Sequence, residues 1–132
     1  MNLLNSKPPV FYGDSGAPWR ISCTVTQVGR DYVCQIYGGD WHVGAVALSQ
    51  WRDDRAETAS LIVGIHKEED IAVHAASSLC SATCRSAVCI AGIHFGGITK
   101  DDTQDISRAA NELAARAARH LTPQPHARPI RK

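Results

Sequence analysis

The chain has no apolar stretch long enough to cross a bilayer, and its opening residues, Met-Asn-Leu-Leu-Asn-Ser-Lys-Pro-Pro, lack the apolar core of a secretory signal. Those absences point to a cytoplasmic protein that does not insert into membranes. Net charge is nearly missing too: +1 over 132 residues. A chain so balanced has no broad electrostatic pull toward nucleic acid or acidic lipid. No Cys-x-x-Cys pair occurs. The five cysteines, Cys23, Cys34, Cys80, Cys84 and Cys89, are an odd number without a secretory context. That argues against a disulfide framework and against a thiolate zinc site. Small, half-buried thiols packed as apolar groups are the simpler reading. The nucleophile elbow Gly-x-Ser-x-Gly, the zinc helix His-Glu-x-x-His and the phosphate loop Gly-x-x-x-x-Gly-Lys-Ser/Thr are all absent. No internal repeat is visible.

What is present is an ordinary globular composition, 44% hydrophobic and 20% charged. The length suits one domain, which buries roughly two-thirds of its unfolded surface. Residues 1–19, with Pro8, Pro9, Gly13, Gly16 and Pro18, read as an N-terminal arm. Residues 20–121 read as the single domain. Residues 122–132, Thr-Pro-Gln-Pro-His-Ala-Arg-Pro-Ile-Arg-Lys, read as a disordered basic tail.

Within the domain, Arg20–Val28 and Tyr32–Tyr37 alternate as two strands around the turn Gly29-Arg30-Asp31. His42–Leu48 is a third strand rich in small residues, and three sequential strands favour a meander. The polar stretch 50–59 reads as a surface excursion, and Ser60–Ile65 as a short fourth strand or link. From Lys67 to Ser81, Ile71, Ala72, Ala75, Ala76 and Leu79 recur at helical spacing behind an acidic first turn. Ala87–Phe95 is a nearly continuous apolar run, suited to a central strand. Thr99 and Asp102 make a capping box for a final helix whose stripe runs through Ile106, Ala110, Leu113, Ala114 and Ala117. The expected fold is α+β, with order β-β-β-(β)-α-β-α. It has a mainly antiparallel sheet of four or five strands with both helices on one face. The bare sheet face makes a homodimer a natural expectation.

Chemistry concentrates in three turns, each carrying one histidine. The first is Gly39-Asp40-Trp41-His42-Val43-Gly44, the second His66-Lys67-Glu68-Glu69-Asp70, and the third Gly92-Ile93-His94-Phe95-Gly96-Gly97. Asp40, Trp41 and His42 offer a carboxylate, a stacking surface and an imidazole. Lys67 suits a phosphate, and the third turn brings glycines to a helix start. There Asp101 and Asp102 oppose an anion. Each turn also has a plain structural reading: a solvated helix start, a tight turn, a satisfied histidine. If the fold gathers them, His42, His66 and His94 could form a metal site with an open position, or one cofactor clamp.

Three blocks carry a resemblance that patterning alone does not supply. Gly39–Leu48, Ile65–Glu68 and Gly92–Thr99 resemble, in order and spacing, the LpdD-like family of prenylated-flavin proteins, the D subunits that accompany gallate-type UbiD-like decarboxylases. The resemblance covers about residues 20–120. Ile65 stands where a glycine is expected, and Gly96 where an Asp or Asn is expected. The resemblance implies an accessory protein that does not itself decarboxylate. It would bind prenylated FMN and assist its oxidative maturation or its delivery to the decarboxylase. The implied cofactor residues are Asp40, Trp41, His42, Gly44, His66, Lys67, Glu68, His94 and Gly97, with a divalent cation bridging the phosphate through Asp40 and Glu68. The implied partners are the UbiD-like catalytic subunit and a prenyl-FMN synthase. Two other readings stand beside it: a small metalloenzyme using the three histidines, and a cofactor-free structural subunit.

Overall fold

The structure is a computed structural model that describes residues 10–14, 18–62 and 68–121. Its elements are β1 (Val10–Asp14), β2 (Ile21–Val28), β3 (Asp31–Gly39), β4 (Ala45–Arg52), β5 (Arg55–Ile62), α1 (Glu68–Thr83), β6 (Ala87–His94) and α2 (Lys100–Leu121). The six strands form one sheet in the order β1-β2-β3-β6-β4-β5. Only β3 and β6 run parallel; the remaining neighbours are antiparallel. The α+β expectation of a mainly antiparallel sheet with two helices therefore holds, with six strands rather than four or five.

One difference lies mid-sheet: the meander expected of three sequential strands does not form, because β6 inserts between β3 and β4. Two more lie at the sheet edges. β1 falls inside the stretch read as an arm, where it pairs with β2. An edge strand of five residues takes its register from its neighbour, so it needs little pattern of its own. The second of these is the stretch 50–59, which forms the turn and arms of a hairpin rather than a surface excursion. Asp53 and Asp54 both adopt positive φ, at 54° and 61°. That is the two-residue turn that matches strand twist, and aspartate tolerates it better than most residues.

Alternation explains the core. Ile21, Cys23 and Val25 on β2, Cys34 and Ile36 on β3, Ala45 and Ala47 on β4, and Ala87, Cys89 and Ala91 on β6 are all buried. Successive side chains point to opposite faces, so one face of the sheet supplies this set. Helix α1 closes it with Ile71, Ala75 and Leu79, and α2 with Ile106, Ala110, Leu113 and Ala117. The two helices also pack on each other. The predicted capping box of α2 is formed. The Asp102 backbone N–H donates to Thr99 Oγ1 at 3.1 Å, and the Thr99 N–H donates to Asp102 Oδ2 at 2.9 Å.

Helix α1 ends where Cys84 takes a left-handed conformation, φ 56°, while its N–H donates to the Cys80 carbonyl at 2.9 Å. A residue with a Cβ is strained there and glycine is not. Cys84→Gly should therefore stabilise the fold by about 0.5–1 kcal/mol, measured as a higher denaturation midpoint in urea.

Three of the five thiols share the buried layer. The sulfurs of Cys23 and Cys34 lie 3.7 Å apart, and Cys34 sits across from Cys89 in the parallel ladder. The hydrogen bond to Cys34 and then burial push the Cys23 thiol far above the ordinary thiol range. Burial likewise raises Cys80. Thiolate is the reactive form, so these groups are inert in the native state. Iodoacetamide at mildly alkaline pH should label Cys84 first and leave Cys23, Cys34, Cys80 and Cys89 unmodified until the protein opens. Mass spectrometry showing Cys23 labelled as fast as Cys84 would contradict this.

Candidate functional site

The site follows from one topological fact. Strand β6 lies between β3 and β4, so the chain leaving β3 must cross β6 to begin β4. Residues 40–44 make that crossing as a short strap. Backbone bonds pin both ends: Asp40 N–H to the His94 carbonyl at 2.9 Å, and Gly44 N–H to the Ala91 carbonyl at 2.9 Å. The strap passes over β6 at Gly92, where a Cβ would fall on the His42 carbonyl. Gly39, at φ 63°, lets β3 end against His94 for the same steric reason.

The strap delivers His42 to the carboxyl ends of the parallel pair β3 and β6. There a cleft of about 370 Å³ opens, bounded by His42, Glu68, Ile93, His94, Phe95 and the first turns of α2. Its size is at the low end of the roughly 300–1,000 Å³ usual for small-molecule sites. Open sheets often bind ligands at this kind of position, beyond the strand ends where the connection order switches.

Glu68, the first residue of α1, is the anchor. Its side chain is only 10% exposed, and its Oε2 lies 3.3 Å from His42 Nε2. The same oxygen accepts the Ile93 backbone N–H at 3.4 Å. The start of a helix also favours this charge. On the other side of the ring, His42 Nδ1 lies 3.2 Å from the Asp40 carbonyl oxygen. A Cβ at Gly44 would lie 2.9 Å from the Glu68 carboxylate, so glycine there leaves room for the acid. The His94 ring meets His42 edge-on, with centroids 6.4 Å apart. Ile71, Ile93, Phe95, Ile98 and Ile106 supply apolar wall, and Thr103 and Ser107 supply hydroxyls. Trp19 packs against Phe95 at 5.3 Å and supports that wall from outside the cleft.

The structure thus joins His42, Glu68 and His94, with Gly44 making space. It does not join Trp41. The Trp41 ring packs against Tyr37, centroids 4.3 Å apart and planes tilted by 54°, and lines a smaller cavity of about 220 Å³ with Gln35, Val43 and Ile90 on the sheet face that neither described helix covers. Asp40 contributes backbone atoms; its side chain does not line the cleft. Gly97, at φ 66°, shapes the turn into α2, and a Cβ there would meet open space. His66 and Lys67 lie outside the described residues. So does the tail, 122–132. Among the described residues, no group of three His, Cys, Asp or Glu side chains converges on a metal position. The bridging cation therefore finds no such group among them, and His66, the third member of the metal triad, is not described.

Sequence reasoning missed Thr103, Ser107 and Ile98. For the two hydroxyls the only signal was polar residues interrupting an apolar helical stripe close to its N-terminus; Ile98, just ahead of that helix, carried none.

Among curated proteins, no sequence matches the chain. A chain in the crystal structure of a novel chaperone complex for yeast 20S proteasome assembly superposes with a TM-score of 0.62 at 6% identity. The match covers 88% of this chain and 98% of that one. At that identity the likeness is one of fold. No helix among the described residues is long and apolar enough to cross a membrane. The model of the prenylated flavin chaperone LpdD-like domain matches residues 15–122, and the chain belongs to that family.

Proposed function

We propose that the protein binds prenylated FMN in the cleft between β6, α1 and α2, assists its oxidative maturation, and hands it to a UbiD-like aromatic acid decarboxylase. Membership of the prenylated flavin chaperone family over residues 15–122 is the observation that carries this reading. The residues present fit the group. The apolar wall of Ile71, Ile93, Phe95, Ile98 and Ile106 suits a flat ring system bearing a prenyl unit. His42 and His94 offer ring nitrogens at its edge, and Glu68 fixes the first of them. When bound, the flavin supplies the redox chemistry. The chain's own part is to orient the ring, exclude water from its apolar side and hold protons at the two imidazoles.

The reading includes a homodimer, a cytoplasmic location and a prenyl-FMN synthase as the upstream partner. The dimer is supported by the sheet face that neither described helix covers. Its outward residues Gln35, Tyr37, Val46, Leu48 and Ile90 are all neutral, and Leu48 is 40% exposed.

The test is the absorption spectrum of the protein purified after co-expression with a prenyl-FMN synthase. A flavin-like band that disappears in His94→Ala is the expected result. A stoichiometric transition metal with no flavin would sink the proposal. Stable association with the decarboxylase while carrying neither ligand would favour a purely structural subunit.

A further inference from the structure

We infer that Thr103, Ser107 and Asn111, a polar row on α2 that leads out of the cleft, form a second part of the flavin site and take the hydroxyl-bearing ribityl arm. This rests on the flavin reading above and assigns the arm its own residues.

Helix α2 buries the stripe Ile106, Ala110, Leu113 and Ala117. Thr103, Ser107 and Asn111 recur every fourth residue along one flank of that stripe. Side chains at that spacing stand one above another, so the row rises roughly 12 Å over eight residues. Thr103 and Ser107 line the cleft. The same two residues also line a groove of about 560 Å³ that carries Arg108, Asn111 and Glu112. Cleft and groove therefore share a boundary on α2, and one ligand can lie across both.

The groove is unfinished in one respect. Asn111 Oδ1 is buried and accepts no hydrogen bond among the described residues. Such a group is rare in a folded protein, because burial removes its water and gives nothing back. A ligand donor would complete it. Beside it in the row, Thr103 Oγ1 donates to the Thr99 carbonyl at 3.1 Å, which leaves its oxygen able to accept. The Ser107 hydroxyl can accept as well. Three acceptors in file suit a chain of hydroxyls.

Charge points the same way. Arg108 is held by Asp105 at 3.0 Å, and Glu112 adds a carboxylate to the groove. The groove thus has no net cationic pull, and it favours neutral donors over an anion. The cleft supplies the complementary half, an apolar wall sized for a small molecule. Apolar wall first, acceptor row next, is the order of a flat ring bearing a polyol.

Two probes test this: riboflavin, which has the ring and the polyol without a phosphate, and lumiflavin, which has a methyl in place of the arm. Fluorescence titration of the purified protein should show riboflavin binding about tenfold or more tighter than lumiflavin, the yield of two or three net hydrogen bonds. Asn111→Leu keeps the volume and removes the acceptor. It should cut that ratio by about three- to tenfold and leave lumiflavin affinity unchanged. Its urea midpoint should equal or exceed that of the wild type, since the orphaned acceptor is gone. Ser107→Ala should lower the ratio in the same direction, and it keeps the test open if Asn111→Leu fails to fold. Equal affinities of the wild type for the two probes would overturn the inference. So would an Asn111→Leu variant that loses stability while keeping the wild-type ratio, because Asn111 would then be a structural residue. Binding of neither probe overturns the flavin cleft together with this extension. Lumiflavin binding without a preference for riboflavin defeats the extension alone.

Discussion

Gly92→Ala should destabilise the protein by about 3 kcal/mol or more and abolish flavin binding in whatever remains folded, because overpacking with no room to relax sits at the upper end of its usual cost. The added methyl would occupy the position of the His42 carbonyl. Backbone cannot swing aside as a flexible side chain does. Both ends of the strap are tied to β6, through His94 and Ala91, so moving His42 strains two hydrogen bonds. The variant has two escapes. It can lift the strap, which withdraws His42 from Glu68, or it can bend β6, which displaces Ile93 and His94. Either one dismantles the cleft. Chemical denaturation gives the stability loss, and the co-expression spectrum gives the binding loss. A Gly92→Ala protein with wild-type stability would mean that the strap does not cross where the structure puts it. Gly96→Ala is the matched control, since a Cβ at Gly96 meets open space.

The second large effect is expected at Glu68. Replacing it with alanine should weaken flavin binding by about ten- to a hundredfold, the loss that follows from a hydrogen bond to a charged group worth roughly 1.5–3 kcal/mol. Glu68 touches three parts of the site at once: the His42 ring, the Ile93 N–H and the space left by Gly44. Without it the Ile93 N–H loses its acceptor and His42 loses its orienting partner. The carboxylate also stands in the first turn of α1, where it complements the helix dipole. Some stability is therefore lost as well. Glu68→Gln separates the roles. It retains an acceptor for the Ile93 N–H and fills the same volume, but it carries no charge for His42. A binding loss in Gln close to that in Ala would assign the effect to charge. A Gln variant near wild type would assign it to packing. Titration of each purified variant with FMN measures both.

Much of this architecture was legible in the residues. The stripe from Ile106 to Ala117 and the Thr99–Asp102 box marked α2 closely, because helical period and capping chemistry are both local. The apolar run Ala87–Phe95 marked a central strand, and β6 does lie inside the sheet between β3 and β4. Less legible was the hairpin at 52–55. Two adjacent aspartates look like solvated charge until their positive φ shows them to be a turn. The meander was the natural inference from three short strands in sequence. It fails because β6, arriving much later in the chain, inserts between the third and the fourth strands of the sheet's chain order, β3 and β4.

The sequence by itself determined the class of fold, the two helices and the family. All of these depend on local periodicity or on short blocks of residues. Only the tertiary structure decided which of those residues meet. Trp41 and His42 are neighbours in sequence, yet one packs against Tyr37 on the sheet face away from the described helices and the other meets Glu68 in the cleft. Glu68 is one of three consecutive acids, Glu68, Glu69 and Asp70. Nothing local distinguishes it as the buried one. The distinction comes from the insertion of β6, which forces the strap over Gly92 and brings His42 down beside the first residue of α1. Long-range strand order is a property of the whole chain's packing, and no window of sequence contains it.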